Sequence, residues 1–210
     1  VDAEIVARLQ SHLQALGLEF LLGRQVQRID TAADGVQITL DNDQVLTVDS
    51  VLYAAGRQSN VAGLGLDEIG VRTGPRGLVL VNAHYQTSLP NIYAAGDIIG
   101  FPALASTSME QARVAMVHAF DLGYKTQVAP VLPLAVYTIP ELALVGLTEE
   151  DCQRQAIPYL VGRSYYERNA KGQIIGDMSG MLKLIFASSN KRLLGVHLFG
   201  EQASELIHIG

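Results

Sequence analysis

Two largely apolar runs, each ending in the same tetrapeptide, constrain the fold of this chain more than any other feature. Val51-Leu52-Tyr53-Ala54-Ala55 stops at Gly56, and Asn91-Ile92-Tyr93-Ala94-Ala95 stops at Gly96, so Tyr-Ala-Ala-Gly occurs twice. A run without polar alternation suits a strand covered on both faces, as in parallel sheets packed between helices. Each run is expected as such a buried strand, and the pair predicts an α/β architecture. A charged residue follows each glycine, Arg57 in the first copy and Asp97 in the second. In open parallel sheets ligands lie beyond the carboxyl ends of the strands, and glycine lets them approach the backbone. Small residues packing tightly in a buried strand account for the same letters, so both readings stand here.

Around these runs the local signals are ordinary. Ile5, Leu9, Leu13 and Leu16 recur at helical spacing, with Gly17 as the stop. A short strand is expected at Glu19 to Leu22. Val36 to Leu40 alternates and turns at Asp41-Asn42-Asp43 into Gln44 to Val48, predicting a small antiparallel meander. Five glycines between Gly63 and Gly77 mark a loop-rich connection, followed by a strand candidate at Leu78 to Val81. Thr107 and Glu110 have capping-box spacing for a helix whose apolar face would carry Met109, Ala112, Met116, Ala119 and Phe120. Tyr124 to Pro133 reads as a linker. From about Leu134 strands alternate with one helix, capped by Thr148 and Asp151 and running through Gln155. Strands are expected at Tyr159 to Tyr165, Met181 to Phe186 and Leu193 to Phe199. Ser188 to Lys191 turns the last pair, and Glu201 opens a terminal helix. This part reads as a separate α+β domain.

Composition excludes several classes. Of 210 residues 49% are hydrophobic and 17% charged, which supplies a core and rules out a disordered chain. Fifteen Lys and Arg against 21 Asp and Glu give a net charge of −6, unsuited to nonspecific nucleic-acid binding. No apolar stretch is long enough to span a bilayer, the first residues do not form a signal peptide, and a single Cys152 cannot form an intrachain disulfide. The expected setting is cytoplasmic. Val1 opens almost directly into a helix, and the chain stops within the apolar Leu206-Ile207-His208-Ile209-Gly210. Both ends are read as cuts and the chain as a fragment.

Asp97, just past a strand end, suits a sugar or polyol hydroxyl pair, or equally a turn. A helix starting near Ala105 presents free N–H groups and a positive dipole end to an anionic partner. The N1–C2=O edge of a reduced flavin carries such charge. No Gly-x-Gly-x-x-Gly fingerprint occurs, since Glu68 stands where Gly63-Leu64-Gly65-Leu66-Asp67-Glu68 would need its third glycine. Cys152 follows Glu149, Glu150 and Asp151, whose charges oppose a thiolate. His12, His84, His118, His197 and His208 lack metal-ligand spacing, and no metal site is expected. His118 reads as structural. Arg163, Arg168 and Lys171, among Tyr165 and Tyr166, read as a solvated face.

These residues carry a family resemblance. Thr87 to Asp97 (Thr-Ser-Leu-Pro-Asn-Ile-Tyr-Ala-Ala-Gly-Asp) resembles the second FAD-binding motif of the two-dinucleotide flavoproteins of the pyridine nucleotide-disulfide reductase superfamily. Ala54-Ala55-Gly56-Arg57-Gln58-Ser59-Asn60 is similar to the segment joining their NAD and FAD domains. Thr138-Ile139-Pro140-Glu141 to Val145-Gly146, and Leu194 to Glu205, resemble their dimerisation domain. Within the superfamily, Tyr85-Gln86-Thr87, Phe101 to Ser106 and Glu205 to Gly210 are most similar to the soluble pyridine nucleotide transhydrogenase branch.

The resemblance implies α/β, partial Rossmann-type nucleotide-binding domains followed by an α+β dimerisation domain. Residues 1–57 would be the C-terminal part of the NAD(P)-binding domain, 58–129 the C-terminal segment of the FAD-binding domain and 130–210 the interface domain. It further implies that Asp97, with Gly96, binds the FAD ribityl hydroxyls. Leu104 and Ala105 would offer backbone N–H groups to the flavin pyrimidine edge, and Gly56 would lie against NAD(P). The implied activity is hydride transfer from NADPH to NAD through FAD, with NAD and NADP as substrates and a homodimer formed through the C-terminal domain. No catalytic side chain is expected within these residues, and no nucleic-acid or membrane partner. A dihydrolipoamide dehydrogenase-type disulfide reductase is the alternative. Taken alone, the chain is expected to be inactive, with a non-catalytic dimerisation module as the alternative reading.

Overall fold

The computed structural model describes residues 1–33 and 35–209. They form two compact units, one of Leu13–Arg57 and one of Val1–His12 with Gln58–Gly210. Gly210, the last letter of one quoted segment, lies outside the described residues.

The smaller unit holds a three-stranded antiparallel sheet, β1 (Val26–Ala32), β2 (Gly35–Leu40) and β3 (Val45–Val48), in that order. Ile38 on the central strand stands between Ile29 and Leu46. The meander of β2 and β3 is as the alternation required. Glu19 to Leu22 forms no strand; the first strand begins at Val26 instead. Its sequence, Val-Gln-Arg-Ile-Asp-Thr-Ala, lies at the sheet edge, mostly exposed, so apolar alternation was never needed there. Val51 to Ala55 is a second correction. It is exposed throughout, with Leu52 at 90% and Tyr53 at 77%, and forms no strand. An apolar run becomes a buried strand only between neighbours, and no strand pairs with it among the described residues.

α1 (Ala3–Ala15), of which Ala3–His12 belong to the larger unit, is capped by Asp2, whose Oδ1 accepts from the amides of Glu4 and Ile5. A second sheet is antiparallel throughout, with order β4 (Leu134–Val136), β5 (Leu142–Gly146), β8 (Leu193–Phe199), β7 (Met181–Ala187), β6 (Tyr159–Tyr165). Period-two alternation divides its side chains. Val196 and Leu198 pack with Ala143, Ala203 and Ile207 on one face. Met181 and Phe199, directly paired, pack with Leu142 and Ile5 of α1 on the other. Between β5 and β6 lies α3 (Glu149–Arg154), closed by the expected capping box. Thr148 Oγ1 accepts from Asp151 N at 3.1 Å, and the Asp151 carboxylate accepts from Thr148 N at 3.1 Å. A short helix α4 (Ala170–Ile175), capped by Asn169, was not foreseen; α5 (Ala203–Leu206) follows β8.

The segment before this sheet is mostly irregular. Leu78 to Val81 and Asn91 to Ala95 make only single bridges, Val79 with Thr73 and Tyr93 with Gln86, rather than the expected strands. One long helix stands here, α2 (Ala105–Ala119). It begins earlier than the Thr107–Glu110 spacing suggested, with Leu104 at the cap position and no side-chain cap. Its buried face is Thr107, Gln111, Val114, Ala115 and Val117, while Met109, Met116 and Phe120 are exposed. The inward turn of two polar residues has a cause at the site below.

Candidate functional site

The second Tyr-Ala-Ala-Gly copy is fastened along α2. At its start Tyr93 Oη lies 2.8 Å from His118 Nδ1 in the last turn of the helix, and the His118 ring stacks on His84 at 4.3 Å. At its end the Gly96 N–H donates to Gln111 Oε1 at 2.7 Å, a buried bond. Gly96 is buried with φ +83° and opens a 3-10 turn, Gly96–Ile99, that carries Asp97 in its first positions. A Cβ on Gly96 would meet Ser108 Oγ at 3.1 Å, so backbone and helix approach closely here and a side chain would have to push Ser108 aside. The turn is anchored from behind, since Ile98 O accepts from Val79 N at 3.0 Å and from Ser59 Oγ at 2.9 Å.

The start of α2 is chemically open. Ser108 N is the first amide to bond back, to Leu104 O at 2.8 Å. The amides of Ala105, Ser106 and Thr107 precede it, have no helical carbonyl to serve, and receive no side-chain cap. Thr107 is 2% exposed, and its Oγ1 has no hydrogen-bond partner among the described residues. A buried hydroxyl without a partner costs about 1–3 kcal/mol. Free amides, a positive dipole end and a spare hydroxyl together suit a ligand edge of carbonyl or anionic oxygens. Asp97, an exposed carboxylate at the neighbouring turn, suits hydroxyl donors. The donor set therefore fits the flavin nucleotide expected from the sequence.

The structure brings Gly96, Asp97, Leu104 and Ala105 into one stretch of the larger unit, at the turn and the start of α2. Gly56 lies in the smaller unit, exposed at φ +117° with open space where a side chain would be. Sequence reasoning missed Gln111 and the inward-facing Thr107. Their four-residue spacing on one helix face was a signal, masked by the stronger apolar spacing of Met109, Ala112 and Met116.

A second polar cluster lies under α1. Lys183 on β7 is 1% exposed, and its Nζ is 2.8 Å from Asp2 Oδ1, 3.0 Å from Glu4 and 2.5 Å from Glu149. Arg163 on β6 grips Glu4 with Nε and Nη2 at 2.8 Å each. Arg163 is exposed, as expected of a solvated face, and α1 brings a carboxylate to it there. Hydrogen bonding from Arg163 outweighs burial and brings the Glu4 carboxyl down to about 2. Burial opposes the charge of Asp2, yet Lys183 holds its carboxyl below the usual range. Burial likewise opposes the Lys183 ammonium, and its three carboxylates hold it above its usual value. Opposite Lys183 on β8 is buried His197, whose Nε2 is 2.9 Å from Leu147 O. A carbonyl only accepts, so Nε2 carries the proton and Nδ1 is bare. Burial pushes this imidazole below its ordinary value. Burial and the Asp151 and Glu149 charges raise the Cys152 thiol, which is no nucleophile here.

Among the described residues no group of three or more His, Cys, Asp or Glu could hold a metal ion, and no helix is long and apolar enough to cross a membrane.

Residues 1–119 match the family described as pyridine nucleotide-disulphide oxidoreductase, and residues 132–210 match its dimerisation domain. The chain is 43% identical over all 210 residues to a soluble pyridine nucleotide transhydrogenase of Mycobacterium tuberculosis, and 40% identical to one of Yersinia enterocolitica. It spans 44% and 45% of the length of those relatives. Among solved structures it is similar to LpdA of Mycobacterium tuberculosis, with a TM-score of 0.88 and 25% identity over 99% of this chain and 45% of that one. It is also similar to the HOCl-induced flavoprotein disulfide reductase RclA of Escherichia coli, with a TM-score of 0.90 and 27% identity over 99% of this chain and 48% of that one.

Proposed function

The chain belongs to the pyridine nucleotide-disulphide oxidoreductase family, and on that premise we propose that it works within a cytoplasmic, FAD-dependent transhydrogenase that converts NADPH and NAD to NADP and NADH. The observation that carries the reading is the open start of α2, with its uncapped amides and unpartnered Thr107 hydroxyl beside the Gly96–Asp97 turn. FAD, when bound, supplies the two-electron acceptor that takes a hydride from one nicotinamide and hands it to another. The residues of this chain bind and orient. Asp97 accepts hydrogen bonds from the ribityl hydroxyls. The amides at Leu104 and Ala105 face the flavin pyrimidine edge, where the dipole of α2 favours the negative charge of the reduced ring. Gly56, with no Cβ, leaves room for NAD(P). Direct hydride transfer asks no side chain here to act as acid or base.

In this reading residues 1–57 belong to the NAD(P) domain, 58–129 to the FAD domain, and 130–210 join two copies into a homodimer. The 43% identity to a protein named as a transhydrogenase favours this activity over disulfide reduction. The test is anaerobic mixing of the full-length enzyme with NADPH. Bleaching of the flavin band, followed by its return on adding NAD with no disulfide present, is the expected result. A flavin that NAD cannot reoxidise, together with NADH-linked reduction of lipoamide, would transfer the chain to the disulfide-reductase alternative.

A further inference from the structure

We propose that Gln111 is a positioning residue for the flavin site, holding the Gly96–Asp97 turn in register with the start of α2. The inference rests on the FAD reading above and adds a residue to it. Gln111 is 3% exposed, in the second turn of α2, and its Oε1 accepts the Gly96 N–H at 2.7 Å. No backbone carbonyl takes that amide, so the glutamine side chain stands where a strand neighbour would otherwise be. One turn earlier, Ser108 Oγ donates to Leu104 O at 2.8 Å and lies 3.1 Å from where a Gly96 Cβ would be. Ser108 and Gln111 thus touch the same glycine from successive turns, one by contact and one by a hydrogen bond.

That double contact fixes a relation between two ligand-facing groups. Asp97 follows Gly96 directly, and the amides of Ala105 to Thr107 precede Ser108 directly. The bond at Gln111 sets how the backbone that carries Asp97 lies against the start of α2. Neither group can shift without moving the other or breaking a buried bond. Glutamine is required by chemistry as well as size. An acceptor must reach a buried backbone donor from inside a helix, and an apolar side chain of the same length would leave that N–H orphaned. The inward turn of a polar residue on α2, against its apolar spacing, follows from this task.

The test compares Gln111→Met and Gln111→Glu in the full-length enzyme. Methionine keeps the length and helix preference but offers only a weak sulfur acceptor; glutamate keeps an oxygen at the same reach. Fluorescence titration of the apoenzyme with FAD is expected to show a dissociation constant raised about tenfold or more for Gln111→Met, and within about threefold of wild type for Gln111→Glu. The midpoint potential of flavin still bound by Gln111→Met is expected to fall, because misaligned amides stabilise the reduced ring less. A purely structural residue would lower stability without moving the potential and without rescue by glutamate. Equal losses in both variants, or no change in either, would overturn the proposal. Should Gln111→Met not fold, amide exchange at Gly96 in wild-type protein serves instead. Protection that deepens on adding FAD supports the role, and rapid exchange in the FAD-bound protein refutes it. A wild-type protein that takes up no FAD would instead defeat the functional reading, whatever the variants do.

Discussion

Two polar clusters in the larger unit are built on opposite plans. Around Lys183 the chain answers its own charges: three carboxylates from the start of α1 and from α3 converge on one ammonium, and Arg163 closes the outer side on Glu4. At the start of α2 the chain leaves donors over, three amides without a cap and the Thr107 hydroxyl. The bare Nδ1 of His197 is a partial exception in the first cluster, but it is an acceptor on a ring that burial keeps neutral. A network closed by the chain contributes to folding and asks nothing of a ligand. An open one costs stability until something else completes it. The contrast therefore separates what the molecule is held together by from what it is held ready for.

The closed cluster gives the largest expected effect. Lys183→Met leaves buried Asp2 without its cation and Glu4 and Glu149 with only Arg163, and is expected to cost about 3–5 kcal/mol. Urea unfolding at pH 7 measures it, and a loss under about 1 kcal/mol would mean that solvent already screens the cluster. Acid sharpens the result. Asp2 and Glu4 have depressed carboxyls in the fold, so their stabilisation is complete above the unfolded values of 3.8 and 4.5 and is lost as pH falls through the folded ones, about 2 for Glu4. His197, also depressed, contributes above its unfolded 6.5 and is lost on acidification in the same sense. Because the variant has lost the cation that depresses Asp2, its stability should fall less between pH 5 and 2.5, and the gap to wild type should close. A gap that stays constant would place the cost in packing rather than charge.

How much of this was legible in the sequence depended on where partners came from. The α3 capping box was readable because Thr148 and Asp151 satisfy each other within four residues. Three strands of the five-stranded sheet, β6, β7 and β8, were readable from their apolar runs and the turn between the last two, whereas the short β4 and β5 had no readable range. Tyr-Ala-Ala-Gly shows the limit. The same four letters are exposed and without regular structure at 53–56, yet at 93–96 they are bound to α2 at both ends. Nothing local distinguishes them; Gln111 and His118, fifteen and twenty-five residues away, do. The Lys183 cluster was invisible for the same reason, since Asp2 and Lys183 are 181 residues apart.

That pair of copies provides the next test. Gly56 and Gly96 both have positive φ, so alanine at either carries backbone strain of about 1–3 kcal/mol. Only at Gly96 does the new Cβ meet Ser108, whose hydroxyl is held by Leu104 O and cannot simply turn aside. Gly96→Ala is therefore expected to cost about 1–3 kcal/mol more than Gly56→Ala in the FAD-bound protein, and to release flavin that Gly56→Ala retains. Thermal unfolding with flavin fluorescence reads both. Equal losses would show that the turn and α2 separate easily, and that the second copy is no more constrained than the first.

The smallest effect tests the open cluster most directly. Thr107→Val exchanges a hydroxyl for a methyl of nearly the same shape, at a buried position where the hydroxyl has no partner in the chain. Without ligand the change removes an unsatisfied group, so the apoenzyme should be unaffected or more stable by up to about 1 kcal/mol. With saturating FAD the sign should reverse. Wild type recovers the bond that the hydroxyl was missing and valine cannot, so the stabilisation that FAD confers should be smaller in the variant by a similar amount. Melting curves of both proteins with and without FAD contain the whole cycle. If FAD stabilises them equally, the Thr107 hydroxyl is merely an uncompensated cost of turning a polar residue inward, and only the amides of α2 remain open to a ligand.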